Sequence, residues 1–133
     1  MSVAIIPARG GSKRIPKKNI KNFLGKPIIA YSIETALASD LFDDVIVSTD
    51  SDEISEIAIQ YGAKVPFIRP EILSDDFSGT HDVICHSVKF LEDAGKVFDY
   101  ACCIYATAPL MQVSDLVKGF DVIKNGNMES VMA

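Results

Sequence analysis

Apolar residues follow two rhythms along this chain. Short unbroken runs, "VAIIP" (3–7), "DVIVST" (44–49) and "YACCIYA" (100–106), alternate with longer segments where apolar residues return every three or four positions. The unbroken runs lack the alternation of a half-exposed strand, so each predicts a strand buried on both faces. The periodic segments predict helices. In "PIIAYSIETALAS" (27–39), Ile29, Ile33 and Leu37 recur every four residues, and Pro27 suits a first helical turn. Asp50, with Glu53 three residues on, predicts the cap of a helix that carries Ile54, Ile57, Ala58 and Tyr61 and stops at Gly62. Thr80 predicts the cap of a helix to about Ala94, with Ile84, Val88 and Leu91 on one face and Gly95 after it. "SDLVKGFDVIKNG" (114–126) predicts a fourth helix with Leu116, Phe120 and Ile123 inward. "KVPFIRP" (64–70) reads as extended, "EILSDDFSG" (71–79) as loop, and "SVMA" (130–133) as the start of a strand.

Strands alternating with helices predict an α/β fold, a three-layer sandwich around a mostly parallel sheet. The 133 residues suffice for one domain with a real core. The last residues fall inside an apparent strand, so residues 1–133 read as the N-terminal part of something longer, apparently truncated. No apolar run reaches the roughly eighteen residues of a membrane span, and no signal-peptide pattern opens the chain. A cytoplasmic location is expected. Cys85, Cys102 and Cys103 show no metal or redox spacing and read as buried small hydrophobes.

Charge changes this picture. The net charge is −5, yet residues 1–26 hold seven Lys or Arg and no acid. Five of these cations, Arg9, Lys13, Arg14, Lys17 and Lys18, crowd the loop "PARGGSKRIPKKN" straight after the first strand. In open α/β sheets, ligands bind outside the carboxyl ends of the strands, which is where this loop lies. Gly10 and Gly11 allow close backbone approach, and successive amides can form an anion nest. Arg9 can fork onto a phosphate, and lysines can add point charge. A cationic patch on an acidic body suits a small polyanion. A long nucleic acid fits badly, because Phe23 is the only ring in residues 1–26 and the rest of the chain would repel it. The loop matches neither the Walker pattern GxxxxGK[ST] nor the dinucleotide fingerprint GxGxxG.

Three blocks, "IPARGGSKRIPKKNIKNFLGKPIIAYSIE", "FDDVIVSTDSDEI" and "GAKVPFIRPEILSDDFSGT", resemble in order the cytidylyltransferases that activate acidic sugars, among them the CMP-sialic acid and CMP-pseudaminic acid synthetases. The resemblance implies a Rossmann-like nucleotidyltransferase fold of the nucleotide-diphospho-sugar transferase type. It implies transfer of CMP from CTP to the anomeric hydroxyl of a nine-carbon keto-acid sugar, with release of pyrophosphate and a requirement for Mg²⁺. Arg9, Ser12 and Lys13 would hold the triphosphate, with Ala8 and Gly10 in the same nucleotide-binding stretch. Arg9 and Lys18 would stabilise the transferring phosphoryl group, and Asn19 would bond the ribose. Arg69 falls where the family reads the cytosine ring, with Ser78 and Thr80 beside it. Cytosine offers carbonyl acceptors and an exocyclic amine, so an arginine donor with oxygen acceptors nearby suits it.

"YATAPLM" (105–111) matches the family's sugar-contacting block, which implies Tyr105, Thr107 and Pro109 as sugar-binding residues. The sialic acid enzymes usually read something like "QPTSPLR" there; the "ATAP" form resembles the pseudaminic acid branch, whose deoxygenated sugar suits a less polar pocket. The family's metal carboxylates and its dimerisation arm lie later than residue 133, so a homodimer is expected only at full length and no residue of this chain is assigned to metal. Asp50 and Asp52 read as helix-capping rather than as a metal pair. His81 and His86 read as packing and edge residues. Two other readings remain: a cytidylyltransferase for another acidic sugar, sialic acid or the eight-carbon keto-deoxy sugar, and a non-catalytic CTP-binding module. The sugar-1-phosphate nucleotidyltransferases fit less well, since their GxGTR loop is absent.

Overall fold

The computed structural model describes residues 2–10, 20–69, 79–107 and 111–125. Its elements are β1 (Ser2–Pro7), β2 (Asn22–Phe23), β3 (Lys26–Pro27), α1 (Ile28–Ser39), β4 (Asp44–Ser48), α2 (Asp52–Gln60), α3 (Thr80–Asp93), β5 (Tyr100–Cys103) and α4 (Val113–Asn125). β1 is the middle strand of a parallel sheet in the order β4–β1–β5. Its register sets Ile5 beside Ile46 and Cys103. A strand flanked on both edges and covered on both faces has no solvated side, so every β1 residue before Pro7 is buried.

Side-chain alternation sorts the core into two halves. Ala4, Ile6, Val45 and Val47 point to one face, where Ile29, Ile33 and Ala36 of α1 and Ile54 and Ala58 of α2 complete the cluster and Leu116 of α4 packs on it. Val3, Ile5 and Ile46 point to the other face and meet Leu91, Ile84 and Val88 of α3, with Phe67 and Phe98. Helices on both faces of one parallel sheet give the expected three-layer α/β sandwich. Each fully buried Ile or Val contributes roughly 1.5–3 kcal/mol, so β1 alone is a major source of stability.

The local corrections have physical reasons. Leu37 is 44% exposed, because after Ile33 the 3.6-residue repeat brings Ala36 inward instead. The cap of α2 is Ser51, whose hydroxyl accepts the Ile54 amide at 3.3 Å, so Asp50 is not the cap. Gly79 takes the N-cap position of α3, and Thr80 is the first helical residue. β5 ends at Cys103 rather than Ala106. At the edge of the sheet formed by the described residues, it leaves Cys103 exposed and Cys102 half-buried, while Cys85 stands exposed on α3. The expectation of buried cysteines therefore fails for Cys85 and Cys103, while Cys102 is half-buried and packs against the core. Burial nevertheless pushes the Cys102 thiol up to about 11. The segment 130–133 lies outside the described residues.

One element had no sequence signal. β2 and β3 form a tight hairpin whose turn residues, Leu24 and Gly25, both have positive φ, 49° and 95°. Gly25 takes this backbone readily, whereas Leu24 does so at a cost. Asn22 Oδ1 accepts the Gly25 amide at 3.0 Å, and the Tyr31 hydroxyl donates to the Phe23 carbonyl, so the hairpin is pinned to α1. Ile20 packs against the core just before it, which anchors the far end of the basic loop.

Candidate active site

The carboxyl ends of β1, β4 and β5 lie side by side, so residues 8–10, 48–51 and 104–107 share one edge of the sheet. The Ala8 amide donates to the Ser48 carbonyl at 2.9 Å, and the Ile104 amide donates to the Ile5 carbonyl at 3.0 Å. The pairing thus runs one step past the strand ends.

Gly10 is fixed more tightly than a flexible glycine loop requires. Its amide donates to Asp50 Oδ1 at 2.7 Å. A Cβ added there would sit 2.8 Å from the Ser51 Cβ, closer than real Cβ atoms come, so only glycine fits. The Gly10 amide, expected as part of an anion nest, is therefore engaged by a carboxylate in this structure.

Arg69 arrives from the far side of β4. The stretch 63–69 runs along that strand's outer edge: the Lys64 amide donates to Val45, the Val47 amide to Lys64, and the Arg69 amide to the Thr49 carbonyl at 2.8 Å. The extended segment expected there is thus an edge pairing, and it delivers Arg69 to the ligand edge of the sheet. The guanidinium is buried; its Nε donates to Ser48 Oγ at 3.1 Å and its Nη2 to the Ser48 carbonyl at 2.5 Å. Burial lowers the Arg69 pKa from its ordinary value, Asp50 works against that shift and Arg9 adds to it, so the three charges share one field.

His86 of α3 borders this group. Its ring meets Phe67 edge-on, centroids 4.9 Å apart, and Nδ1 is buried with no hydrogen-bond partner among the described residues. Burial, then the nearby Arg69 charge, lowers its pKa and so favours the neutral ring. That is a packing role, as its sequence position suggested. His81 is exposed, with Nε2 3.5 Å from Cys85 Sγ.

After β5, Ala106 is buried while Tyr105 and Thr107 are exposed at the same edge. The Ser32 hydroxyl of α1, itself fully buried, donates to the Tyr105 carbonyl at 2.8 Å and holds this segment over the sheet. The described residues thus bring Ala8, Arg9, Gly10, Arg69, Tyr105 and Thr107 to one edge. Ser12, Lys13, Lys18, Asn19, Ser78 and Pro109 lie outside the described residues, as does the Thr80 side chain. Sequence reasoning missed Ser48 and misread Asp50. The end of a strand at the ligand edge marks 48–51 as a region of interest, but the contacts themselves lie 40 and 21 positions apart in sequence.

The described residues do not fit a magnesium ion. Asp50 Oδ1 is taken by Gly10, Asp52 stands exposed in the first turn of α2, and no group of three His, Cys, Asp or Glu able to hold a metal occurs among them.

The sequence matches the family model for cytidylyltransferase over residues 3–133. The chain belongs to the cytidylyltransferase family. A pseudaminic acid cytidylyltransferase of Campylobacter jejuni is 50% identical over 120 residues, which cover 90% of this chain and 52% of that protein. A CMP-N,N'-diacetyllegionaminic acid synthase of Legionella pneumophila is 40% identical over 123 residues, covering 92% of this chain and 53% of that protein. The solved structure of a CMP:2-keto-3-deoxy-manno-octonic acid synthetase complexed with CTP superposes with a TM-score of 0.76 at 26% identity, over 96% of this chain and 49% of that one. This cytidylyltransferase chain therefore spans about half the length of the proteins it matches, and its sheet and helices share their nucleotidyltransferase fold.

Proposed function

We propose that the chain is the nucleotide-binding part of an enzyme that transfers CMP from CTP to the anomeric hydroxyl of a nine-carbon acidic keto sugar, with pseudaminic acid favoured. The observation that carries this reading is the 50% identity, over 120 residues, to the pseudaminic acid cytidylyltransferase of Campylobacter jejuni. The anomeric oxygen attacks the α-phosphorus, the bond to the bridging oxygen of the β-phosphate breaks, and pyrophosphate leaves. Such transfer depends on positioning and charge neutralisation more than on covalent chemistry.

In this reading Arg9, Ser12, Lys13 and Lys18 cradle the phosphates, with Ala8 and Gly10 shaping the backbone. Asn19 bonds the ribose. Arg69, Ser78 and Thr80 face the base, and Tyr105, Thr107 and Pro109 face the sugar. Magnesium belongs to the reading through groups outside the described residues. Among the described residues no helix is long and apolar enough to cross a membrane. The reading places the enzyme in the cytoplasm, as a homodimer without a nucleic-acid partner.

The test is a substrate panel on the full gene product. CTP is offered with pseudaminic acid, N-acetylneuraminic acid or the eight-carbon keto-deoxy sugar, and pyrophosphate is measured. Fastest release with pseudaminic acid supports the reading. Preference for another acceptor reassigns the sugar, and CTP binding without release in any arm favours the non-catalytic module.

A further inference from the structure

Asp50 is exposed at the end of β4, where a carboxylate would ordinarily stay hydrated. Instead it accepts the amide of Gly10, forty positions away in sequence, at 2.7 Å. It does not cap α2, since Ser51 does that, and it joins no metal cluster among the described residues. Two neighbouring contacts press the same backbone together: Ala8 donates to the Ser48 carbonyl at 2.9 Å, and the Ser51 Cβ fills the space a side chain at Gly10 would need. Residues 8–10 are thus clamped onto residues 48–51 just where the basic loop leaves the sheet. Arg9 sits inside the clamp, one peptide from Gly10. Asp50 also balances the paired positive field of Arg69 and Arg9.

We propose that Asp50 is the positioning residue of the phosphate-binding loop: by holding the Gly10 amide it fixes where the loop departs from β1, and so where Arg9 meets the triphosphate. This rests on the CTP-binding reading above and deepens it. Asp50 touches no substrate in this role. The Gly10 amide is spent on Asp50, so in this role it is not itself a phosphate donor. A displaced catalytic backbone of even one ångström can cost on the order of 100-fold in rate, which is why a loop root would be held this firmly.

Two variants separate this role from a structural one. Asp50→Asn keeps an oxygen acceptor for the Gly10 amide, whereas Asp50→Ala removes it. In the full gene product, Asp50→Ala should lower kcat/KM for CTP by about 10–100-fold while the KM for the sugar stays within about twofold. Asp50→Asn should recover most of that loss. If Asn is as damaging as Ala, if both behave as wild type, or if sugar KM rises in step with CTP, the proposal is overturned. An arm without ligand follows the Gly10 amide proton by NMR in isotope-labelled protein. It should lie downfield in wild type, partly so in Asp50→Asn, and near the random-coil position in Asp50→Ala. An unchanged Gly10 proton in Asp50→Ala overturns the contact itself, whatever the substrate. A shifted proton in a wild-type protein that does not turn over CTP leaves the contact standing, and overturns both the nucleotide reading and the role built on it.

Discussion

Arg69 donates twice to Ser48, through Nε to the hydroxyl and Nη2 to the carbonyl, with only 5% of the residue exposed. A residue expected to read a base is therefore also a structural pin between the edge chain and β4. Arg69→Ala should weaken CTP binding and also destabilise the fold by about 1.5–3 kcal/mol, because charged hydrogen bonds are lost at a buried carbonyl. Ser48→Ala removes one acceptor of a buried charged donor and should cost about 1–3 kcal/mol. Urea denaturation beside a CTP titration checks both. A destabilised Arg69→Ala protein with unchanged CTP affinity would assign Arg69 to the fold alone.

The approach of Ser51 to Gly10 predicts a second-site rescue. Gly10→Ala places a Cβ 2.8 Å from the Ser51 Cβ, and the backbone must shift to relieve it. Overpacking of this kind costs about 1–3 kcal/mol of stability, and as the loop root moves CTP affinity should fall too, tenfold for each ~1.4 kcal/mol of misplacement felt in the complex. Ser51→Gly removes the clashing atom and costs only a few tenths of a kcal/mol as a cap change. The double variant should therefore bind CTP nearly as wild type does. Isothermal titration of the four proteins reads this, and additive losses in the double variant would refute the clash.

Much of this was written in the chain. Unbroken apolar runs announced β1 and β4 because both faces of a central parallel strand must be dry, and the loop after β1 had to reach the ligand edge. What stayed hidden depended on contacts distant in sequence. Asp50 and Ser51 are both good caps, and local pattern cannot say which one turns away to meet Gly10. The burial and pinning of Arg69 show only once Ser48, 21 positions earlier, is seen to hold it. Leu24 lacks the usual side chain for positive φ, so the hairpin carried no turn signature. The exposure of Cys103 follows from β5 lying at the edge of the described sheet, which composition cannot reveal.

Ser32 tests the segment expected to meet the sugar. Its buried hydroxyl supports the Tyr105 carbonyl at 2.8 Å, and Tyr105 and Thr107 lie on the same stretch. Ser32→Ala should cost about 1–2 kcal/mol of stability and free that stretch to move. The KM for the acidic sugar should rise several-fold while the KM for CTP holds. Equal rises in both would mean that Ser32 acts through the whole edge and not through Tyr105.

Asp44 gives the fold a pH signature away from the site. Its carboxylate is 6% exposed and takes Lys64 on Oδ1 at 2.5 Å and Lys96 on Oδ2 at 3.0 Å. Burial pushes its pKa up, but the hydrogen bonds and charges of the two lysines outweigh this, and the net shift is below the ordinary 3.8. A folded-state pKa below the unfolded one means that the unfolded chain takes up the proton first. The stabilisation is therefore fully present above about pH 4 and is lost as pH falls through the folded-state value. Both lysines are about half exposed, so solvent screens the pair and the contribution is about 1–2 kcal/mol rather than that of a dry ion pair. Urea denaturation of wild type and Asp44→Asn should show this gap at neutral pH, a smaller gap in high salt, and a gap that narrows steadily as pH falls below the ordinary carboxylate value. A gap that does not narrow at all as pH falls through the acid range would show that Asp44 acts by shape and hydrogen bonding and not by its charge.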